Sequence, residues 1–76
     1  MEIFYKQDTL FVNLDESVNK DNINNMKRKV FNIIDDYDID NIVLNIIGNI
    51  SDEEALDNFV KEYQMKYDGN LSIKWK

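Results

Sequence analysis

A chain of 76 residues with fifteen acidic and nine basic side chains carries a formal net charge of -6 and contains no cysteine, histidine or proline. At this size one domain is the limit, and it buries only roughly 60% of the surface its unfolded form exposes, so its core is compact or borrows surface from a partner. Disulfide staples, thiolate nucleophiles, imidazole bases and cysteine–histidine zinc sites are excluded, and the acidic balance argues against direct nucleic-acid binding.

Glu2 to Tyr5 is a short aromatic-rich run, and Thr9 to Leu14 reads TLFVNL, dense in strand formers. The polar Lys6-Gln7-Asp8 between them fits a β-hairpin turn, without the Asn-Gly or Asp-Gly dipeptide that would fix its type. Leu10, Val12 and Leu14 share one side of the second strand. Phe11 and Asn13 share the other, and Phe11 marks that side as more than a solvent face. After a polar connection, Asn19 caps a helix with Asp21 in its first turn. Ile23, Met26, Val30, Ile33, Ile34 and Tyr37 form its apolar stripe, with Phe31 at the stripe's edge. The helix ends near Tyr37, where Asp35 and Asp36 oppose the dipole unless nearby lysines compensate.

Ile39 to Ile47 reads IDNIVLNII, a run short enough for helix or strand. Its length and its isoleucine and valine content favour a central strand. Ile42, Leu44 and Ile46 share one face; Val43, Asn45 and Ile47 share the other. Gly48-Asn49 breaks the run. Ser51-Asp52-Glu53-Glu54 reads as a capping box, Ser51 capping and Glu54 closing it. The following stripe is Leu56, Phe59, Val60, Tyr63 and Tyr67, with acid-to-base pairs Asp57–Lys61 and Glu62–Lys66 on the surface. Gly69 in Asp68-Gly69-Asn70 is the expected left-handed terminator. Leu71, Ile73 and Trp75 then alternate with Ser72, Lys74 and Lys76, as in an edge strand that lysines protect.

The expected fold is a single α/β domain over residues 1–76, β-β-α-β-α-β. Its helices span about 19–37 and 51–67, both on one face of a mixed four-stranded sheet. That arrangement leaves the opposite sheet face without a covering element. Phe4, Phe11, Val43 and Ile47 are its candidate apolar members; a homodimer, a host protein or a third layer is the expected cover, and the alternative is that strand twist and loops hide them.

TLFVNLDESVNKDNINNMKRKVFNII, NIVLNI and SDEEALDNFVKEYQMKYDGNLSIKW, which together run over nearly the whole chain, resemble STAS domains, the fold of bacterial anti-sigma factor antagonists. They are similar, in turn, to that family's second strand, Asp-containing loop and first helix, to its central strand, and to its next helix and strand. The resemblance implies a regulatory module that binds a partner kinase through an Asp-Ser-Ser/Thr-Gly-Leu motif whose first serine is phosphorylated. Here the matching stretch is Asp52-Glu53-Glu54-Ala55-Leu56. Only Asp52 and Leu56 keep the family residue, and Glu53 stands at the phosphorylatable position, so that regulation does not carry over. The last helix, strand and helix of a full-length member are not in the sequence. The resemblance is to a minimal, degenerate form.

Asp36, Asp38 and Asp40 imitate the start of a calcium loop, but Asn41 replaces its glycine and Ile47 its final glutamate. Glu53 and Glu54 at a helix start are held ionised, the wrong direction for a general acid. Lys27-Arg28-Lys29 spreads around a helix rather than forming one flat patch. No catalytic residue, cofactor or metal site is therefore expected, and no direct contact with nucleic acid. No stretch approaches the apolar length of a membrane span, and the first residues lack a signal-peptide layout, so a cytoplasmic protein without a membrane partner is expected. The expected function is a non-catalytic protein–protein interaction module, with Asp52, Glu53, Leu56, Phe11, Val43 and Ile47 as candidate contact residues. The alternative is a small acidic inhibitor that mimics nucleic acid, of the kind a phage encodes.

Overall fold

Six elements follow the switches in apolar spacing: strands β1 (Glu2–Lys6) and β2 (Thr9–Leu14), helix α1 (Lys20–Tyr37), strand β3 (Asn41–Ile46), helix α2 (Glu53–Lys66) and strand β4 (Asn70–Trp75). They come from a computed structural model that describes residues 1–75; the expected strand position of Lys76 lies outside the described residues. The sheet runs in sequence order β1-β2-β3-β4, with β1 antiparallel to β2 and β2, β3 and β4 mutually parallel. Both helices lie on one face, giving a two-layer α/β fold with the second face bare.

The hairpin turns on two residues, Gln7 and Asp8, with φ of 52° and 59°. Positive φ at both central positions is the primed geometry that matches strand twist, reached here without glycine. Leu10, Val12 and Leu14 on β2 and Ile42, Leu44 and Ile46 on β3 meet the helices and form the floor of the core. Ile23, Met26, Val30, Phe31 and Ile34 from α1 and Leu56, Phe59 and Tyr63 from α2 form its roof.

The stripe of α1 is rotated slightly from the expected one. Phe31 is buried, stacked 5.8 Å from Phe59 and edge-on to Tyr67, whereas Tyr37 is 74% exposed. The neighbouring helix is the cause, because α2 packs beside α1 and its aromatic side chains take Phe31 into the core. Asn19 caps α1 as expected, its Oδ1 accepting from Asn22 N at 2.8 Å. At the other end Asp38 adopts the left-handed cap conformation. The partner that offsets Asp35 is a tyrosine and not a lysine, with Tyr67 Oη donating to Asp35 Oδ1 at 2.8 Å.

Three further expectations are corrected. Asp52, not Ser51, caps α2, its Oδ1 accepting from Ala55 N at 3.2 Å. Ser51 Oγ instead donates to the Val18 carbonyl at 3.0 Å, and the Ser51 and Asp52 amides bond to the same carbonyl. The helix starts one residue later because the preceding loop is tied sideways to the β2–α1 loop. Gly69 is not left-handed. Its role is close approach, since a Cβ there would strike Tyr63 Oη and the Asp40 carbonyl. Finally, the surface ion pairs along α2 do not form: Glu62 reaches across to Lys27 at 3.0 Å, and Lys66 lies over the Phe31 and Tyr67 rings.

Candidate functional site

Strand register arranges the bare face in three rows. Glu2, Asn13, Asn45 and Lys74 form one; Phe4, Phe11, Val43 and Ser72 the next; Lys6, Thr9, Asn41 and Asn70 the third. Period two along each strand puts these side chains opposite the core set. The middle row is the apolar one. Phe4 and Phe11 stack with ring centroids 5.1 Å apart and planes 14° from parallel, and Val43 continues the stripe over β3. Phe4 remains 42% exposed, and Phe11 and Val43 are half-buried only by their own neighbours in the sheet.

Asparagines bridge the strands on both sides of this stripe. Asn45 Nδ2 donates to Asn13 Oδ1 at 2.7 Å, and Asn13 Nδ2 donates to Glu2 Oε1 at 2.9 Å, two amides and a carboxylate in a chain across three strands. On the other side Asn70 Nδ2 donates to Asn41 Oδ1 at 3.1 Å, and Asn41 Nδ2 to the Asp8 carbonyl at 3.3 Å. Cross-strand side-chain pairs of this kind hold register as well as add stability. The amides also spend part of their bonding capacity on each other, and they frame the apolar stripe.

Of the expected contact residues, Phe11 and Val43 lie at the centre of this face. Ile47 follows β3 at the rim and is 46% exposed. Asp52 and Glu53 lie elsewhere, at the start of α2, and Leu56 is in the core at 3% exposure. The six therefore divide among the bare face, the start of α2 and the core, and do not converge on one site. Phe4 completes the stripe. The asparagine ladders were missed; their signal is the recurrence of asparagine at positions 13, 41 and 45, on the same strand faces as Phe11 and Val43.

Two grooves flank the helices. One of about 380 Å³ runs between α1 and α2 over Ile23, Ala55 and Phe59, and the Lys27–Glu62 ion pair crosses it. The other, about 410 Å³, is apolar and runs beside β1, lined by Ile3, Tyr5, Ile33, Tyr37 and Ile39. Hydrogen bonds with Glu16 and Asp15 raise the N-terminal amine and the amine in turn lowers Asp15, so both stay charged; the other perturbed proton affinities belong to tyrosines. Burial, helped by the Asp35 carboxylate, pushes Tyr67 up to about 12, and burial also raises Tyr63, whose hydroxyl makes no hydrogen bond among the described residues. Desolvation and the Asp8 carboxylate raise Tyr5. Each tyrosine shift holds a phenol neutral, so none prepares a nucleophile or base near neutral pH.

Comparison with known protein families, with curated proteins and with solved structures finds no match for the chain.

Proposed function

We propose that the chain is a non-catalytic protein–protein interaction module that presents the bare face of its sheet to a protein partner. The observation that carries this reading is the Phe4–Phe11–Val43 stripe, a stacked aromatic pair and a valine without a covering layer. Fully burying such a side chain contributes ~1.5–3 kcal/mol. The flanking amides already bond to one another, so covering them leaves fewer donors and acceptors unsatisfied. A regulatory, STAS-like role in the cytoplasm is the specific form of this reading, supported by the element order. With glutamate at position 53, control in that form rests on binding and not on phosphorylation there. Cross-linking in cell extract, followed by mass spectrometry, compares the native chain with Phe11→Ser and Val43→Ser variants whose folding is checked by circular dichroism. Partners lost from both variants support the reading. Partners retained by both refute it.

A second reading, the acidic inhibitor or nucleic-acid mimic, is favoured by one observation. Asp8, Asp35, Asp36, Asp38, Asp40 and Asp68 are exposed and gather where the hairpin turn, the helix C-termini and the starts of β3 and β4 meet. Its signature is partner binding that weakens steeply with salt, is lost in the Asp36→Asn/Asp38→Asn variant and survives Phe11→Ser.

A further inference from the structure

β1 is an open edge of the sheet, and its five residues, Glu-Ile-Phe-Tyr-Lys, are their own antiparallel complement. The two-residue turn makes Lys6 and Thr9 the pair that exchanges hydrogen bonds. Alternation from there directs the peptide groups of Glu2 and Phe4 toward β2 and those of Ile3 and Tyr5 outward. Among the described residues those outward groups have no partner. β1 has no proline, no bulge in a register that runs unbroken from Glu2↔Asn13 to Lys6↔Thr9, and no charge between Glu2 and Lys6 at its two ends.

We propose that two copies of this chain join through β1, antiparallel about Phe4, so that two four-stranded sheets become one continuous sheet. In this register Ile3 and Tyr5 of each copy exchange backbone hydrogen bonds with Tyr5 and Ile3 of the other. Phe4 meets Phe4 at the non-hydrogen-bonded position, where side chains come closest. Glu2 faces Lys6 of the second copy on the bare side, and Lys6 faces Glu2, two opposite-charge pairs enclosing the aromatic contact. Charge complementarity thus selects both the occupant and the register. The other edge lacks it: β4 paired with itself sets Lys74 against Ser72 or Asn70.

Two surfaces that are otherwise exposed find neighbours this way. Phe4 at 42% and Tyr5 at 56% exposure lie at the junction, one on each face of the sheet, and the apolar groove of about 410 Å³ runs along it. On the bare side the stripe becomes Val43–Phe11–Phe4 followed by its symmetric copy. The contact is an edge contact and small, so the dimer is a weak one, in exchange with monomer. The inference goes beyond the proposed interaction role and does not depend on it, because the junction is the edge and not the face.

Sedimentation equilibrium of the full chain from micromolar to millimolar concentration tests the proposal, with Glu2→Lys and Lys6→Glu measured singly and mixed. The native chain is expected to double in mass with concentration. Each single variant sets like charges opposite one another twice and raises the dissociation constant about tenfold. An equimolar mixture of the two restores association, since every facing pair is again opposite in sign. A Tyr5→Pro variant, which removes an outward N–H and leaves the β1–β2 bonds in place, stays monomeric. A native chain that remains monomeric to millimolar concentration overturns the proposal. So does a dimer indifferent to both charge changes, or a mixture that associates no better than its components. If Tyr5→Pro does not fold, the mixture experiment decides alone.

Discussion

On β2 and β3, Leu10, Val12, Leu14, Ile42, Leu44 and Ile46 are all 2% exposed or less, while Phe11, Asn13, Val43 and Asn45 between them are only half-buried. The backbone is the same for both sets, and the difference lies in what faces each side. On the covered side aliphatic side chains dominate because two helices close over them. On the bare side a single apolar row lies between amide rows that bond across strands. A wholly apolar second face would be an aggregation surface. One framed by asparagines stays narrow while remaining available for contact.

The sharpest way to break this contrast is a matched truncation of neighbours. Leu44→Ala removes core volume and is expected to cost about 2–5 kcal/mol, and Val43→Ala about 1 kcal/mol, both read from urea unfolding. Equal costs would mean that the bare face is covered in solution. Next in size, Asp52→Ala removes the cap of one covering helix, at about 0.5–2 kcal/mol in the same assay. Asn45→Ala opens the amide chain on the bare face, with an expected loss of about 0.5–1.5 kcal/mol and earlier amide exchange in β2 and β3. The last test is a pH dependence. Tyr67 has a folded pKa of about 12, above its ordinary value of 10.0, so the folded chain holds that proton more tightly. Its contribution to stability is whole below about pH 10 and is lost as pH rises toward about 12. Urea midpoints across that window fall less steeply in Tyr67→Phe.

Much of this was legible in the sequence, for identifiable reasons. The β3 run alternates cleanly, with Ile42, Leu44 and Ile46 falling on the covered side, and two right-handed crossovers then fix where the helices go. What escaped depended on contacts between distant residues. The periodicity of α1 places Tyr37 in its stripe and Phe31 at the edge, and Phe59 and Tyr67, which pack against Phe31, reverse that order. Ser51 followed by Glu54 has the pattern of a capping box, but the Val18 carbonyl, 33 positions earlier, takes the serine hydroxyl. Gly69 has the usual position of a terminator, and the reason for it is Tyr63 beneath. For the site, Phe11 was legible as an aromatic residue out of phase with its core. The asparagine ladders were not, because a polar residue on a strand reads as solvated until its cross-strand neighbour is known.

The tie at Val18 bears on how the molecule opens. Its amide donates to the Asn49 carbonyl at 2.8 Å, and its carbonyl receives the amides of Ser51 and Asp52 at 3.1 and 2.9 Å as well as the serine hydroxyl. The loops entering both helices are therefore laced together by short bonds around a side chain with no exposed surface. Neither helix can lift from the sheet without disturbing the lacing that starts the other. The two β-α units thus share one opening event, and the slowest-exchanging amides are expected to include Val18, Ser51 and Asp52, loop positions that would ordinarily exchange early.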